Sequence, residues 1–281
     1  MDPAVPPKPI NPAEMQRVAA VGHLAVRRAA GRTRLARLYQ EGAAKIRMPA
    51  VAADPFEAVL INTAGGLTGG DRLAWRVEVD DGAAATITTQ ACEKIYRSAH
   101  GRADVVCTMR VGCDAGLAWL PQETIVYREA ALARRFEVDL APGARLLMAE
   151  ATVFGRLAMG ETVEGGDFRD RWRVRRDGRL VHAEDFAVGP DIAATLSRSA
   201  AAGGASAMAT VLLIDDEPAR HLEAARSILG DRGGASAWTV GGSGKLLARL
   251  VERDSYCLRR RLVPLLGLLN GKAGLPKTWS L

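Results

Sequence analysis

Arg169, Arg171, Arg173 and Arg175 alternate with Asp170, Trp172 and Val174, and the run ends at Asp177-Gly178. A period of two places successive side chains on opposite faces of an extended strand, a pattern that does not sit on one face of a helix. Asp-Gly supplies the positive φ that a two-residue hairpin turn requires. An uninterrupted hairpin about that turn pairs residues whose numbers sum to 355, setting Val174 opposite Val181, Trp172 opposite Ala183, and Arg171 opposite Glu184.

The same period recurs from Ala50 to Val188. Leu73, Trp75, Val77 and Val79 alternate with Arg72, Arg76 and Glu78 before a turn at Asp80-Asp81-Gly82. From Leu132 to Leu140, Phe136 and Val138 share one face while Arg135, Glu137 and Asp139 share the other, with a turn at Pro142-Gly143. Three stretches echo one another: Val77 to Gln90 around Gly82, Val111 to Glu123 around Gly116, and Val138 to Glu150 around Gly143. Each reads strand, turn, apolar strand, polar residue, which suits stacked β-layers that would bring Gln90, Glu123 and Glu150 near one another.

After Gly203-Gly204 the character changes. An apolar run from Thr210 to Ile214 leads into Asp215-Asp216-Glu217-Pro218, the opening of a helix that should end at Gly230. A strand from Leu246 to Val251 then precedes a helix from Asp254 or Ser255 to Asn270, bent at Pro264 and stopped at Gly271. The expected fold is mainly β with a few helices: stacked β-sheets, β-helix-like, plus a small C-terminal α+β portion. Residues 21–281 are expected to form one domain, β-rich over about 50–200 and α+β over about 205–281.

Pro3, Pro6, Pro7, Pro9 and Pro12 favour an extended, poorly ordered tail over residues 1–20. The opening carries no basic-then-apolar leader, and the apolar stretch near Leu262 to Leu269 is too short to cross a bilayer, so a cytoplasmic location without membrane contact is expected. Cys92, Cys107, Cys113 and Cys257 lack the spacing of a structural zinc site and are expected to be reduced. The net charge of +6 comes from 32 Arg and 6 Lys, a bias toward the planar cation that suits carboxylate-rich surfaces or phosphates.

Two glycine runs suggest phosphate loops and fail on chemistry. Asn62-Thr63-Ala64-Gly65-Gly66-Leu67-Thr68-Gly69-Gly70-Asp71 is followed by a strand, and Gly241-Gly242-Ser243-Gly244-Lys245 is followed by Leu246 where a hydroxyl would bind magnesium. Neither supports nucleotide hydrolysis. His23, His100, His182 and His221 lie in no hydrolase or zinc-protease motif, so no enzyme activity is expected. Cys92 and His100 are too isolated to fix a metal, which argues for weak binding by the chain alone. Asp71, Glu93, Glu123, Glu150, Glu161 and Glu184 lie beside turns or strand ends, where ordinary pairing with arginine explains any one of them.

Taken together, several segments resemble the UreD/UreH family of urease accessory proteins. These are the N-T-A-G-G-L-T-G-G-D loop at 62–71, T-Q-A-C-E-K-I-Y-R-S at 89–98, W-L-P-Q-E at 119–123, Gly155-Arg156 with Gly160-Glu161, the hairpin ending near Glu184, and the closing Leu275-Pro276-Lys277-Thr278-Trp279. The resemblance spans about residues 50–281 and implies a non-enzymatic scaffold with no tightly bound cofactor. It implies urease apoprotein subunits, UreF, and through UreF the GTPase UreG as partners, with nickel in transit through an acid-lined interior. Carried over by motif, Asp71, Glu150, Glu161 and Glu184 are the candidate lining acids. Lys94, Tyr96 and Arg97 match the family's K-x-Y-R segment without an assigned role. Carboxylates and water hold nickel more loosely than imidazole or thiolate, so 32 acids against 4 histidines is compatible with passage. The competing reading is a basic, β-rich nucleic-acid-binding protein, motivated by a pI near 9.4 and the arginine hairpin and weakened by low aromatic content.

Overall fold

A computed structural model describes residues 17–49, 54–156 and 159–280. The expected tail therefore falls largely outside the described residues, although Ala19 and Ala20 already open a strand.

The alternating segments build a seven-stranded sheet. Its order is β14 (Arg179–Val188), β13 (Asp167–Arg176), β11 (Ala131–Leu140), β8 (Ala103–Val111), β5 (Arg72–Val79), β1 (Ala19–Ala29) and β2 (Arg32–Glu41). The five strands from β13 to β1 are mutually parallel, and antiparallel strands close both ends. Facing it is a second sheet in which β4 (Phe56–Asn62), β6 (Ala84–Thr89), β9 (Gly116–Leu120) and β12 (Arg145–Phe154) run parallel. β3 (Ala44–Arg47) flanks β4, while β15 (Ala207–Ile214), β17 (Ser243–Glu252) and β16 (Gly233–Val240) extend the other side. Short strands β7 (Glu93–Ile95) and β10 (Thr124–Val126) pair on a third side, where β10 also joins β12. The chain thus winds as stacked coils, each crossing from the first sheet to the second.

The internal echo is this stacking. Val79, Val111 and Leu140 are register partners on the first sheet, and Ala84, Gly116 and Arg145 are partners on the second. The left-handed turn residue of the middle coil is Asp114 (φ 52), not Gly116; it aligns with Gly82 (φ 64) and Gly143 (φ 69). The turns stack through Gly82 N–H to Cys113 O at 2.8 Å and Asp114 N–H to Pro142 O at 3.1 Å. A Cβ at Gly143 would stand 2.0 Å from Asp114 Oδ1, so close approach requires glycine there.

The inward rows Leu73, Trp75, Val77, Val79 and Leu132, Phe136, Val138, Leu140 meet the second sheet in one core. A second core fills the far face of that sheet, beneath α2 (Leu222–Leu229) and α3 (Ser255–Asn270). α1 (Ile192–Ser197) is a short connector. β12 is covered on both faces, which explains why its Leu146 to Phe154 run is continuously buried instead of alternating.

α3 starts at Asp254, whose side chain accepts from Cys257 N–H at 2.7 Å, runs through Pro264, and ends at Gly271 with φ 60. α2 ends at Gly230 with φ 57, but its Asp-rich entry first forms a 3-10 turn over Pro218–His221. Asp215 is drawn to Arg145 at 3.2 Å and Arg220 at 3.1 Å instead of capping the helix. The C-terminal portion contains one strand more than its sequence suggests: β16, with two glycines at its start, forms because β17 presents an edge to pair with.

The hairpin register is corrected by one residue. Arg175 pairs with Leu180 and Arg176 with Arg179, as an uninterrupted turn requires, but a bulge then sets Val174 opposite His182, Trp172 opposite Glu184, and Arg171 opposite Asp185. A bulge inserts one unpaired residue and so reverses the facing of every residue beyond it. Glu184 consequently shares the inner face with Trp172 and does not pair with Arg171.

Candidate functional site

The bulge and the two-residue period together bring acids into the space between the sheets. Arg134 shares parity with Phe136 and Val138 on β11, and its register partner on β13 is Asp170, which shares parity with Trp172 and Val174. Both side chains are therefore buried among aromatic rings. Arg134 Nε lies 3.2 Å from Asp170 Oδ1 and Nη2 lies 2.6 Å from Oδ2, a two-point pair. Its Nη1 donates to Thr124 Oγ1 at 2.9 Å and sits 2.6 Å from Glu150 Oε2. That last contact is a close ion pair whose hydrogen-bond geometry is poorer than that of the Asp170 pair. The other Glu150 oxygen accepts from Trp119 Nε1 at 2.8 Å.

Two pockets adjoin this cluster and share Glu150. The larger, about 200 Å³, is lined by Glu150, Asp170, Trp172, Glu184 and Arg249 among others. The smaller, about 60 Å³, is lined by Glu93, Gln122, Thr124, Arg134 and Glu150. Burial pushes the Glu150 carboxyl above the usual carboxylate range against the pull of Arg134, and Asp170 adds to the rise. Burial likewise pushes Glu93 up to about 7, although the Asn62 amide lies 3.1 and 3.2 Å from its oxygens. Arg134 is desolvated as well, yet Asp170 and Glu150 raise its pKa overall and keep it charged.

Of the four expected lining acids, Glu150 and Glu184 come together on the larger pocket, with Glu184 held by Arg249. Asp71 sits elsewhere: its oxygens accept from Val18 N–H and Thr68 N–H, each at 2.8 Å, and close the glycine loop. Glu161 pairs with Arg156 at 2.5 Å on the neighbouring turn. Glu123 and Glu150 do not cluster, because Glu123 turns toward Arg259 of α3 while Glu150 turns to Trp119 and Arg134. Arg134 and Asp170 were not among the sequence candidates, although their parity with buried aromatic residues carried the signal. Among the described residues, no three His, Cys, Asp or Glu side chains are grouped to hold a metal ion.

Two of the segments that carried the family resemblance line the smaller pocket, 89–98 through Thr89, Glu93 and Ile95 and 119–123 through Trp119, Pro121 and Gln122. The glycine loop receives the K-x-Y-R segment through Leu67 N–H to Lys94 O and Tyr96 N–H to Leu67 O, both 2.8 Å. Thr68 Oγ1 donates to Arg97 O at 2.8 Å, and Tyr96 OH donates to Gly65 O at 3.2 Å. A Cβ at Gly69 would stand 2.0 Å from Ser98 Oγ and 2.2 Å from His100 O, so these glycines serve packing and not phosphate. In W-L-P-Q-E, Gln122 and Glu123 accept from Arg259 Nη1 at 2.8 and 3.0 Å, while Trp279 stacks on that guanidinium at 4.9 Å and donates to Leu120 O at 3.0 Å.

The second glycine run is the turn between β16 and β17. Its Lys245 donates to Val181 O at 2.7 Å beneath the Trp238 ring. Cys92 lies 3.4 Å from a Glu123 oxygen, and burial followed by the Glu123 charge pushes its thiol up to about 12. His182 is buried against the Trp172 ring, with 6.1 Å between centroids. Desolvation, then Lys245, Arg249 and Arg173, push it down to about 4, which favours the neutral imidazole among these cations. Four of the five β13 arginines meet a carboxylate, Arg169 with Asp167, Arg171 and Arg175 with Glu137, and Arg173 with Asp185, whereas Arg176 donates to the Ala144 carbonyl.

A family model described as UreD urease accessory protein matches residues 19–280. The chain is 61% identical over 271 residues to a protein named urease accessory protein UreD from Mesorhizobium japonicum, covering 96% of this chain and 97% of that one. It is 58% identical over 267 residues to urease accessory protein UreD 1 of Brucella melitensis, with 95% of each chain covered. A Brucella suis relative with the name urease accessory protein UreD is also 58% identical, with 95% of this chain and 96% of that one covered.

Proposed function

Because this chain belongs to the UreD family of urease accessory proteins, we propose that its interior passes nickel, as cargo, toward the urease apoprotein. One observation carries the reading: two pockets meet at Glu150, with Glu93 on one side and Asp170 and Glu184 on the other. Oxygen donors suit a hydrated first-row dication without the grip of imidazole or thiolate. Once ionised, each carboxylate attracts a passing charge more strongly in these low-dielectric surroundings than it would in water. In this reading the chain is a non-enzymatic scaffold that stands between urease and the UreF and UreG accessory proteins, partners that rest on the family resemblance. The carboxylates that engage four of the five β13 arginines favour it over nucleic-acid binding, since phosphate contacts need available cations.

The test is urease activity and nickel content in cells carrying Glu150→Gln, Glu184→Gln or both, with assembly on urease checked by pull-down. Reduced nickel loading with intact assembly is the expected result. Full loading in the double variant would overturn the passage, and lost assembly would move these acids to an interface.

A further inference from the structure

We propose that Arg134 is a displaceable internal counter-ion, which competes with the travelling dication for Glu150 and Asp170 and so prevents either carboxylate from retaining it. This inference rests on the passage reading and names how release is secured at the same site. Arg134 occupies the junction: its guanidinium contacts Asp170 on the larger pocket, Glu150 on both pockets and Thr124 on the smaller one. With both carboxylates ionised the trio carries one net negative charge, which attracts a cation; an arriving dication reverses that sign and repels the guanidinium.

The contact to Glu150 Oε2 is the one poised to yield. It is a single contact of poor hydrogen-bond geometry, whereas Asp170 is gripped at two points. The Phe136 and Phe168 rings, 5.3 and 6.0 Å from the guanidinium carbon, offer π faces on which a charge swung away from Glu150 can rest. Arginine suits the task because it cannot shed its proton, so its own charge persists at any cellular pH. A purely structural role leaves the choice of residues unexplained, since buried ion clusters can commonly be replaced by packed apolar side chains without loss of stability.

The experiment is calorimetric titration of the full chain with Ni²⁺ alone, at fixed ionic strength. Arg134→Gln should bind nickel at least about tenfold more tightly than wild type, since one unit charge at contact distance is removed. The triple variant Arg134→Gln, Glu150→Gln, Asp170→Asn should return to weak binding. A folded Arg134→Gln with wild-type affinity would overturn the proposal. Should that variant fail to fold, Arg134→Lys keeps the charge but loses the two-point grip, and it must bind nickel more tightly than wild type or the proposal falls. These outcomes separate from the cellular test. Impaired loading in Glu150→Gln with no gain in Arg134→Gln would sink the counter-ion alone; normal loading with a clear gain would sink the passage and leave a competing ion without traffic.

Discussion

Trp119 donates its indole N–H to Glu150 across 2.8 Å, a buried hydrogen bond between neighbouring coils of the stack. The same ring packs edge-on against Phe136 at 5.8 Å, so it both fills the core and aims the carboxylate. Trp119→Phe keeps most of the packing and removes the donor. The expected cost is about 1–3 kcal/mol, the range for a buried acceptor left short of a partner. Chemical denaturation checks it; an unchanged midpoint would mean that Arg134 alone orients Glu150.

Arg259→Met should be more damaging than its half-buried position suggests. Glu123 is 2% exposed and has Arg259 as its cation, so the variant leaves a buried carboxylate unpaired, at about 3–5 kcal/mol. Arg173→Met, whose partner Asp185 is mostly exposed, should cost about 0.2–1 kcal/mol in the charge contact. Adding Glu123→Leu to Arg259→Met should recover most of the loss. Equal midpoints for the two single variants would contradict the distinction.

Gly69→Ala should destabilise the protein by about 1–3 kcal/mol, as overpacking does, because the new methyl group meets the His100 carbonyl as well as the Ser98 hydroxyl. A lower denaturation midpoint at constant slope is the expected signature. A midpoint equal to wild type would show that the two docked segments move apart freely.

Two buried groups should give pH dependences of opposite sign. His182 has a folded pKa of about 4 against 6.5, so its stabilising contribution is present above pH 6.5 and is lost as pH falls toward 4. Glu93 has a folded pKa of about 7 against 4.5, so its contribution is present below pH 4.5 and is lost as pH rises through 7. Relative to wild type, His182→Asn should gain ground on acidification and Glu93→Gln should gain ground on alkalinisation. Stability curves of the two variants that run parallel to wild type over this span would refute the assignment.

The two-residue period, the capping residues and the turn residues of this chain were enough to determine strands and the C-terminal ends of α2 and α3, because each is a local consequence of backbone geometry, and the echo of strand, turn and strand pointed to stacked layers. The alternation also carried the inward facing of Arg134 and Asp170, for a charged residue in phase with Phe136 or Trp172 must enter the core. Only the tertiary structure decided the rest. The bulge beyond Val174 turns Glu184 to the inner face, and nothing in the local sequence distinguishes that register from the uninterrupted one. β16 exists because β17 offers it an edge, and Asp71 is consumed by the backbone of Val18 and Thr68, which is distant or near in sequence but adjacent only after coiling. The meeting of Glu150, Asp170 and Glu184 depends on β13 pairing with β14 in one sheet while β12 faces them from the other. Side-chain chemistry is written along the chain, whereas proximity between coils is set by how the turns stack.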